Sequence, residues 1–262
     1  MNKLRIKLIS DLHLELCVDS KGIDQSKFEV FFALLENREQ AADILVIAGD
    51  MCKANLLKWY TTNLPFDQYQ RVIYVPGNHE YWDTTIDKAN LKLNEFATAY
   101  DNLILLLDDY YKLNDVYVYG MTYWYNGLSP LDIWQMSRQL NDYKKIRQPN
   151  YRKTTPEFFQ LLSLQSEKKF FEWANDKEKI LLVTHHPTSR KFRQPSEPDY
   201  PGYGSIMNFP YDFDTSKIIC QVHGHTHQRT TYMSEYDIPT RVNAVGYIGF
   251  ERVNTKSDSF TL

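Results

Sequence analysis

Short apolar, β-branched runs recur along the chain, and each stops abruptly at polar residues. They are Leu4 to Ile9 before Asp11, Ile44 to Ala48 before Gly49, Val72 to Val75 before Pro76, Ile180 to Val183 before Thr184, and Ile218 to Val222 before His223. Runs this short, mostly without alternation, predict strands covered on both faces. The first differs, because Lys3, Arg5 and Lys7 alternate with Leu4, Ile6 and Leu8, the pattern of a half-buried strand. Between the runs lie helical patterns: Lys27 to Arg38, with Phe28, Phe31, Phe32 and Leu35 at helical spacing, and Thr84 to Tyr100, with Ile86, Leu91, Phe96 and Tyr100. Thr155 as N-cap and Pro156 at the first helical position open a third helix that runs through Trp173. Strand and helix in alternation predict an α/β layered fold. Val116 to Tyr119 and Thr240 to Glu251 add strands without an intervening helix at the C-terminal end, which predicts a mixed or double sheet system. Two stretches read as insertions that form lids. Residues 123–153 are rich in aromatic and basic residues, and residues 187–213 repeat proline, glycine and tyrosine.

Composition narrows the class. The chain has 262 residues, of which 43% are apolar and 24% charged, enough for one large domain with a buried core and too apolar for disorder. A net charge of −3 and a pI near 6.2 give no global basic field, which disfavours stable nucleic-acid binding. Cys17, Cys52 and Cys220 are odd in number and widely spaced, as expected of buried free thiols in a reducing compartment. The N-terminal alternation lacks the apolar core of a signal peptide, and no run approaches the roughly 20 apolar residues that cross a bilayer. The expectation is a single-domain cytoplasmic protein with no membrane partner.

Polar residues placed directly after buried strands converge at the C-terminal edge of a sheet, where open α/β folds build their sites. Here every such run ends in metal-ligand residue types. Asp11 and His13 are two apart, so on an extended chain both side chains point the same way. Gly49-Asp50 ends the second run, Gly77-Asn78-His79-Glu80 the third, His185-His186-Pro187 the fourth, and His223-Gly224-His225-Thr226-His227 the fifth. All seven histidines of the chain fall inside these strings. A lone Asp-x-His commonly just caps a loop; five blocks in order do not. Imidazoles and carboxylates suit manganese, iron, zinc or nickel, and one carboxylate can bridge two ions about 3.5–4 Å apart. The set predicts a site for two divalent or trivalent ions that grips a phosphoester and generates hydroxide near neutral pH for in-line attack on phosphorus.

The ordered blocks Asp-x-His, Gly-Asp, Gly-Asn-His-Glu, His and Gly-His-x-His, from Asp11 to His227, resemble those of the calcineurin-like metallophosphoesterases. The resemblance implies a four-layer α/β/β/α sandwich of two mixed sheets flanked by helices. It implies that Asp11, His13 and His227 hold one ion and Asn78, His185 and His225 the other, with Asp50 bridging. His79 would protonate the leaving alkoxide or hold the substrate phosphate, with His186 and His223 as neighbours of the ligands. Gly120-Met121-Thr122-Tyr123-Trp124, Asn141-Asp142-Tyr143 and Asn243-Ala244-Val245-Gly246-Tyr247 resemble strings in small prokaryotic or phage members. Where the serine/threonine protein phosphatases carry phosphate-binding arginines, this chain has Met51-Cys52-Lys53-Ala54 and Pro76, which argues against protein dephosphorylation. Arg190, Lys191 or Arg193 would then meet the phosphate, and Trp124 would stack on a nucleotide-like substrate. The expected function is metal-dependent hydrolysis of a small-molecule or nucleotide-like phosphomonoester or phosphodiester. The alternatives are a metal-dependent nuclease, or a non-catalytic module that binds a phosphorylated ligand and has no need of a histidine beside Asn78.

Overall fold

A computed structural model describes residues 3–19, 21–38, 41–60, 63–125, 129–192, 206–247 and 258–262. In chain order the strands are β1 (Arg5–Ile9), β2 (Ile44–Ala48), β3 (Arg71–Val75), β4 (Leu103–Leu105), β5 (Asp109–Leu113), β6 (Val116–Met121), β7 (Ile180–Thr184), β8 (Ile218–His223), β9 (Arg229–Met233), β10 (Pro239–Asn243) and β11 (Asp258–Thr261). They form the two main sheets, ordered β11-β1-β2-β3-β4 and β9-β10-β8-β7-β6-β5, beside two short two-stranded pairings, Thr84–Thr85 with Ile146–Arg147 and Val18–Asp19 with Gly22–Ile23. Within each sheet the central strands run parallel, and antiparallel strands close three of the four edges: β11 on β1, β9 on β10 and β5 on β6. The helices are α1 (Gln25–Leu35), α2 (Ile86–Ala97), α3 (Pro130–Gln139) and α4 (Pro156–Ala174).

Period-two alternation sorts the strand side chains into layers. Ile6, Leu8, Ile44, Val46, Ile73 and Val75 of the first sheet meet Val116, Val118, Leu181, Val183 and Val222 of the second in one buried cluster. The opposite face of the first sheet, with Leu45, Ile47, Val72 and Tyr74, packs on Phe28, Phe31 and Leu35 of α1 and Leu93 and Phe96 of α2. The outer face of the second sheet, with Tyr119, Ile180 and Leu182, packs on Phe170 and Ala174 of α4. The result is the expected α/β/β/α sandwich. Each fully buried aliphatic side chain contributes about 1.5–3 kcal/mol, so the paired sheets are the main store of stability.

The helices begin where caps permit. Asp24 accepts from the backbone of Ser26 and Lys27, starting α1 ahead of the expected Lys27. Thr85 caps α2, and Thr84–Thr85 instead pair with Ile146–Arg147. The half-buried reading of β1 is corrected: Lys7 is only 8% exposed, its Nζ donating to the Glu36 carbonyl at 2.7 Å beyond the end of α1. The last predicted strand, Thr240 to Glu251, is shorter, since β10 ends at Asn243 and residues 248–251 lie outside the described ones. At that end the sheets are stitched together. Ser10 N donates to Asn243 O (3.1 Å), Val245 N to Ser10 O (3.0 Å) and Gly246 N to Asp11 O (3.0 Å), while Asn243 Nδ2 donates to Leu8 O (2.8 Å). These bonds fix the loop after β10 against the loop after β1.

Candidate metal centre

Parallel strands deliver their C-terminal ends to one edge, and the chain turns sharply there. Asp11, His13, Asp50, His225 and His227 all take left-handed backbone conformations, with φ between 48° and 68°. Each costs about 1–3 kcal/mol and persists only where surroundings over-determine it. The surroundings here are hydrogen bonds between the loops. Asp11 N donates to Gly49 O at 3.0 Å and His13 N to Asp50 O at 2.9 Å. His79 N donates to Asp50 Oδ1 and His225 N to Asp11 Oδ1, both at 2.9 Å. Buried Glu80 accepts from the backbone of Asp50, Met51 and Gly77 and from the Tyr74 hydroxyl; burial, then the charge of Asp50, pushes its carboxyl up to about 8. Glu80 is thus a tie between loops. At Gly49, with φ of +85°, any Cβ would run into the His185 ring, so only glycine lets that ring approach.

The side chains then converge. Asp11, His13 and His227 bring donor atoms within 4.8 Å of one another, as do His185, His186 and His225; His13, Asp50 and His79; and Asp11, Asp50 and His185. His13 Nε2 and His227 Nε2 are 3.1 Å apart, a close approach of two ring nitrogens that suits a shared cation. His185 Nδ1 faces the Ala48 carbonyl at 3.0 Å, which places a proton there and aims Nε2 inward, the arrangement of metal-ligating histidines. That Nε2 lies 2.9 Å from Asn78 Oδ1 and 3.4 Å from Asp50 Oδ1. The other oxygen of Asp50 lies 3.9 Å from both His13 Nε2 and His79 Nε2. Burial alone would raise the Asp50 carboxyl, but His185, His79 and His13 hold it well below the usual range. Burial would likewise lower His185, and Asp50 outweighs it, lifting the ring to about 10. Such a buried mix of imidazoles and carboxylates fits the donor preferences of first-row metal ions.

A family model described as calcineurin-like phosphoesterase matches residues 4–229. The chain belongs to that family. It is accordingly a metal-dependent phosphoester hydrolase, and its clusters of histidine and aspartate are of the kind that could hold the metal. An uncharacterised protein of Acanthamoeba polyphaga mimivirus is 27% identical over 267 residues, covering 92% of this chain and 91% of its own. A Bos taurus transmembrane protein with metallophosphoesterase domain is 30% identical over 89 residues, covering 33% of this chain and 18% of its own. Phosphopantetheinyl hydrolase from Mycobacterium tuberculosis has the same fold, with a TM-score of 0.67 at 16% identity over 94% of this chain and 90% of that one. No helix among the described residues is long and apolar enough to cross a membrane.

This phosphoesterase surrounds its convergent donors with residues that sequence reasoning missed. Glu15 Oε1 lies 2.7 Å from His79 Nδ1 and 3.3 Å from His13 Nδ1. Burial would push its carboxyl up, yet these two hydrogen bonds pull it down to about 2. Asp11 and His13 are left-handed rather than extended, and Glu15 lies in the 3-10 turn Leu14–Cys17 that follows, so this turn and not strand alternation brings its carboxylate to both rings. His79 stacks on Trp82 with centroids 3.4 Å apart, and its Nε2 meets the Tyr247 hydroxyl at 3.2 Å. The Tyr247 ring also lies 4.3 Å from His13 and 4.6 Å from His227. His186 Nδ1 faces the Thr122 carbonyl at 3.2 Å, leaving its Nε2 turned toward His185 and His225. The ring nitrogens of His223 face the Gly224 carbonyl and the Tyr232 hydroxyl.

The expected substrate residues are placed elsewhere. Trp124 is only 5% exposed, stacked on Phe159 at 4.5 Å and tilted against Tyr81 at 5.4 Å; it is a core residue, because its indole fills the space between α4 and the loop after β3. Lys191 Nζ donates to the Ser234 carbonyl, which draws it toward the turn between β9 and β10, the backbone N–H of Arg190 donates to Glu235 Oε1, and Arg193 lies outside the described residues. A cleft of about 170 Å³ opens over the donors, lined by Asp50, Asn78, His79, Trp82, Gln139, Leu140, Asn141, Asp142, His225, His227 and Tyr247. None of these is arginine or lysine. A more open hollow of about 910 Å³ lies at the opposite sheet edge, beside Arg5, Asp43, Gln70 and Asn114, where no histidine lines it.

Proposed function

We propose that this chain hydrolyses a phosphomonoester or phosphodiester, small or nucleotide-like, at a dinuclear centre. Asp11, His13 and His227 would hold one ion and Asn78, His185 and His225 the other, with Asp50 between them. The observation that carries this reading is the placement of Asp50: one carboxylate oxygen faces His185 beside Asn78, the other faces His13. Bound ions would supply Lewis acidity and a lowered pKa for water.

The chain's own groups account for the remaining steps. Glu15, on Nδ1, orients the His79 ring so that Nε2 faces the cleft. A proton at His79 Nε2 can pass to the departing ester oxygen, and the Glu15 carboxylate stabilises the imidazolium before transfer. Trp82 covers one face of that ring and shields it from water. Among the described residues that line the cleft there are histidines but no arginine or lysine, so the bound ions would meet much of the phosphate charge. The test is incubation of metal-reconstituted protein with chromogenic mono- and diesters, mononucleotides, cyclic nucleotides, phosphopeptides and short oligonucleotides. Turnover of a small ester is expected. Protein that holds its ions and turns over none of these would sink the proposal, and turnover confined to oligonucleotides would replace it with a nuclease.

A further inference from the structure

Asp142 belongs to a string that the metal blocks do not explain, Asn141-Asp142-Tyr143, inside the segment expected to act as a lid. The structure buries this aspartate to 2% exposure at the edge of the cleft. Three donors converge on it. Asn78 Nδ2 reaches Oδ1 at 2.9 Å, Trp82 Nε1 reaches the same oxygen at 2.7 Å, and the Tyr125 hydroxyl reaches Oδ2 at 2.7 Å. Two of these donors belong to residues that the site depends on.

An asparagine amide offers an oxygen on one side and two N–H donors on the other, and only the oxygen can hold a cation. A buried carboxylate is an acceptor without donors, so against Asp142 the Asn78 amide has one allowed orientation: Nδ2 outward, Oδ1 inward toward His185. The same oxygen fixes the Trp82 indole, whose ring lies flat against His79 and carries Lys145 Nζ 4.0 Å from its centroid. One side chain thus braces both a donor to the centre and the platform under the acid.

We propose that Asp142 is a positioning residue which sets the Asn78 amide for metal binding and holds Trp82 under His79, so that the 123–153 insertion serves as a brace of the site. This rests on the dinuclear reading above. Its requirement is an acceptor oxygen at that place. An amide at position 142 can still present its oxygen to Asn78 and Trp82 and its NH₂ to the Tyr125 oxygen, whereas alanine presents nothing.

Equilibrium dialysis with Mn²⁺ or Zn²⁺, counting ions per chain, tests the brace. For Asp142→Ala the expected result is a loss of about 10–100-fold in affinity for one of two ions, the range typical of removing a group that orients a ligand, with the other ion little changed. For Asp142→Asn both affinities stay within about threefold. Unchanged binding in the alanine variant, or equal loss in both variants, would overturn the proposal. Wild-type protein that takes up no ion would overturn the centre itself, a different result. Should Asp142→Ala fail to fold, Trp82→Phe keeps the ring and removes the donor. It is expected to slow phenyl phosphate more than p-nitrophenyl phosphate by roughly 3–10-fold, because only the poorer leaving group needs the acid; an unchanged ratio would overturn the Trp82 half of the brace.

Discussion

Between Leu8 and Asp11, and again between Ala48 and Asp50, the chain passes within two or three residues from the inter-sheet core to the strand-end site. In the core, Ile6, Leu8, Val46, Ile73, Leu181 and Val183 are fully buried and interdigitate across two extended sheets. At the site β1 and β2 run into left-handed Asp11, His13 and Asp50, buried as deeply but polar and crowded with charge. The core supplies stability with no chemistry, and the site holds chemistry at a cost in backbone strain and desolvation. Loops can be held in such conformations because the two sheets that carry them are rigid and joined at that edge by Ser10, Asn243 and Val245.

This contrast predicts that substitutions separate cleanly into those that change rate and those that change stability. His79→Ala should lower kcat by about 10²–10⁴-fold, with metal content and melting temperature close to wild type; loss of the ions in this variant would move His79 into the ligand set. Leu181→Ala in the core should destabilise by about 2–5 kcal/mol in urea unfolding, while kcat of the folded protein stays within about twofold. A rate that fell along with stability would mean that core and site are not separable. Glu15→Gln keeps the shape but loses the charge that holds His79, and a roughly 10–100-fold loss in kcat is expected, steepest for esters with poor leaving groups. An equal loss for all esters would point instead to its second partner, His13.

The smallest effect lies far from the site. Burial beside α1, then the neighbouring charge of Arg38, lowers the Lys7 ammonium from its ordinary 10.5 to about 8. The unfolded chain therefore binds more protons between pH 8 and 10.5, and this group's contribution to stability rises with pH through that window. Urea midpoints of wild type and Lys7→Met, compared at pH 7.5 and 10, should diverge in that direction. A constant difference would show that Lys7 titrates normally.

The parts of the fold legible in the sequence were those buried on both faces. The strands called by their apolar runs, β1 to β3 and β6 to β8, are all interior, with β10 read in part. The other four, β4, β5, β9 and β11, are the four sheet edges, and of these only β4 sits in an apolar run, Leu103 to Leu107. Edge strands such as Asp109–Leu113 and Arg229–Met233 are half exposed and carry polar residues outward, so they lack the apolar run that identifies an inner strand. The site divides the same way. The seven expected metal ligands sit at strand ends, where residue type and order are enough to make them candidates. Asp142 and Tyr247 lie in strings that stand out in the sequence without a role, and the contacts that give Glu15, Trp82, Asp142 and Tyr247 theirs join residues up to 168 positions apart, which no local pattern encodes. Trp124 packs on Phe159 of α4, and in sequence an aromatic residue just past a strand looks the same whether it faces a substrate or a helix.

The central claim is that two ions share one site through Asp50, and ion stoichiometry tests it most directly. Wild-type protein, stripped with chelator and reloaded with Mn²⁺ or Zn²⁺, should bind two ions per chain. Asp50→Ala, still folded because the inter-sheet core is untouched, should bind no more than one tightly and hydrolyse esters at least about a thousandfold more slowly, a loss of about 4 kcal/mol in transition-state stabilisation. Two ions bound by Asp50→Ala with wild-type affinity would contradict the account.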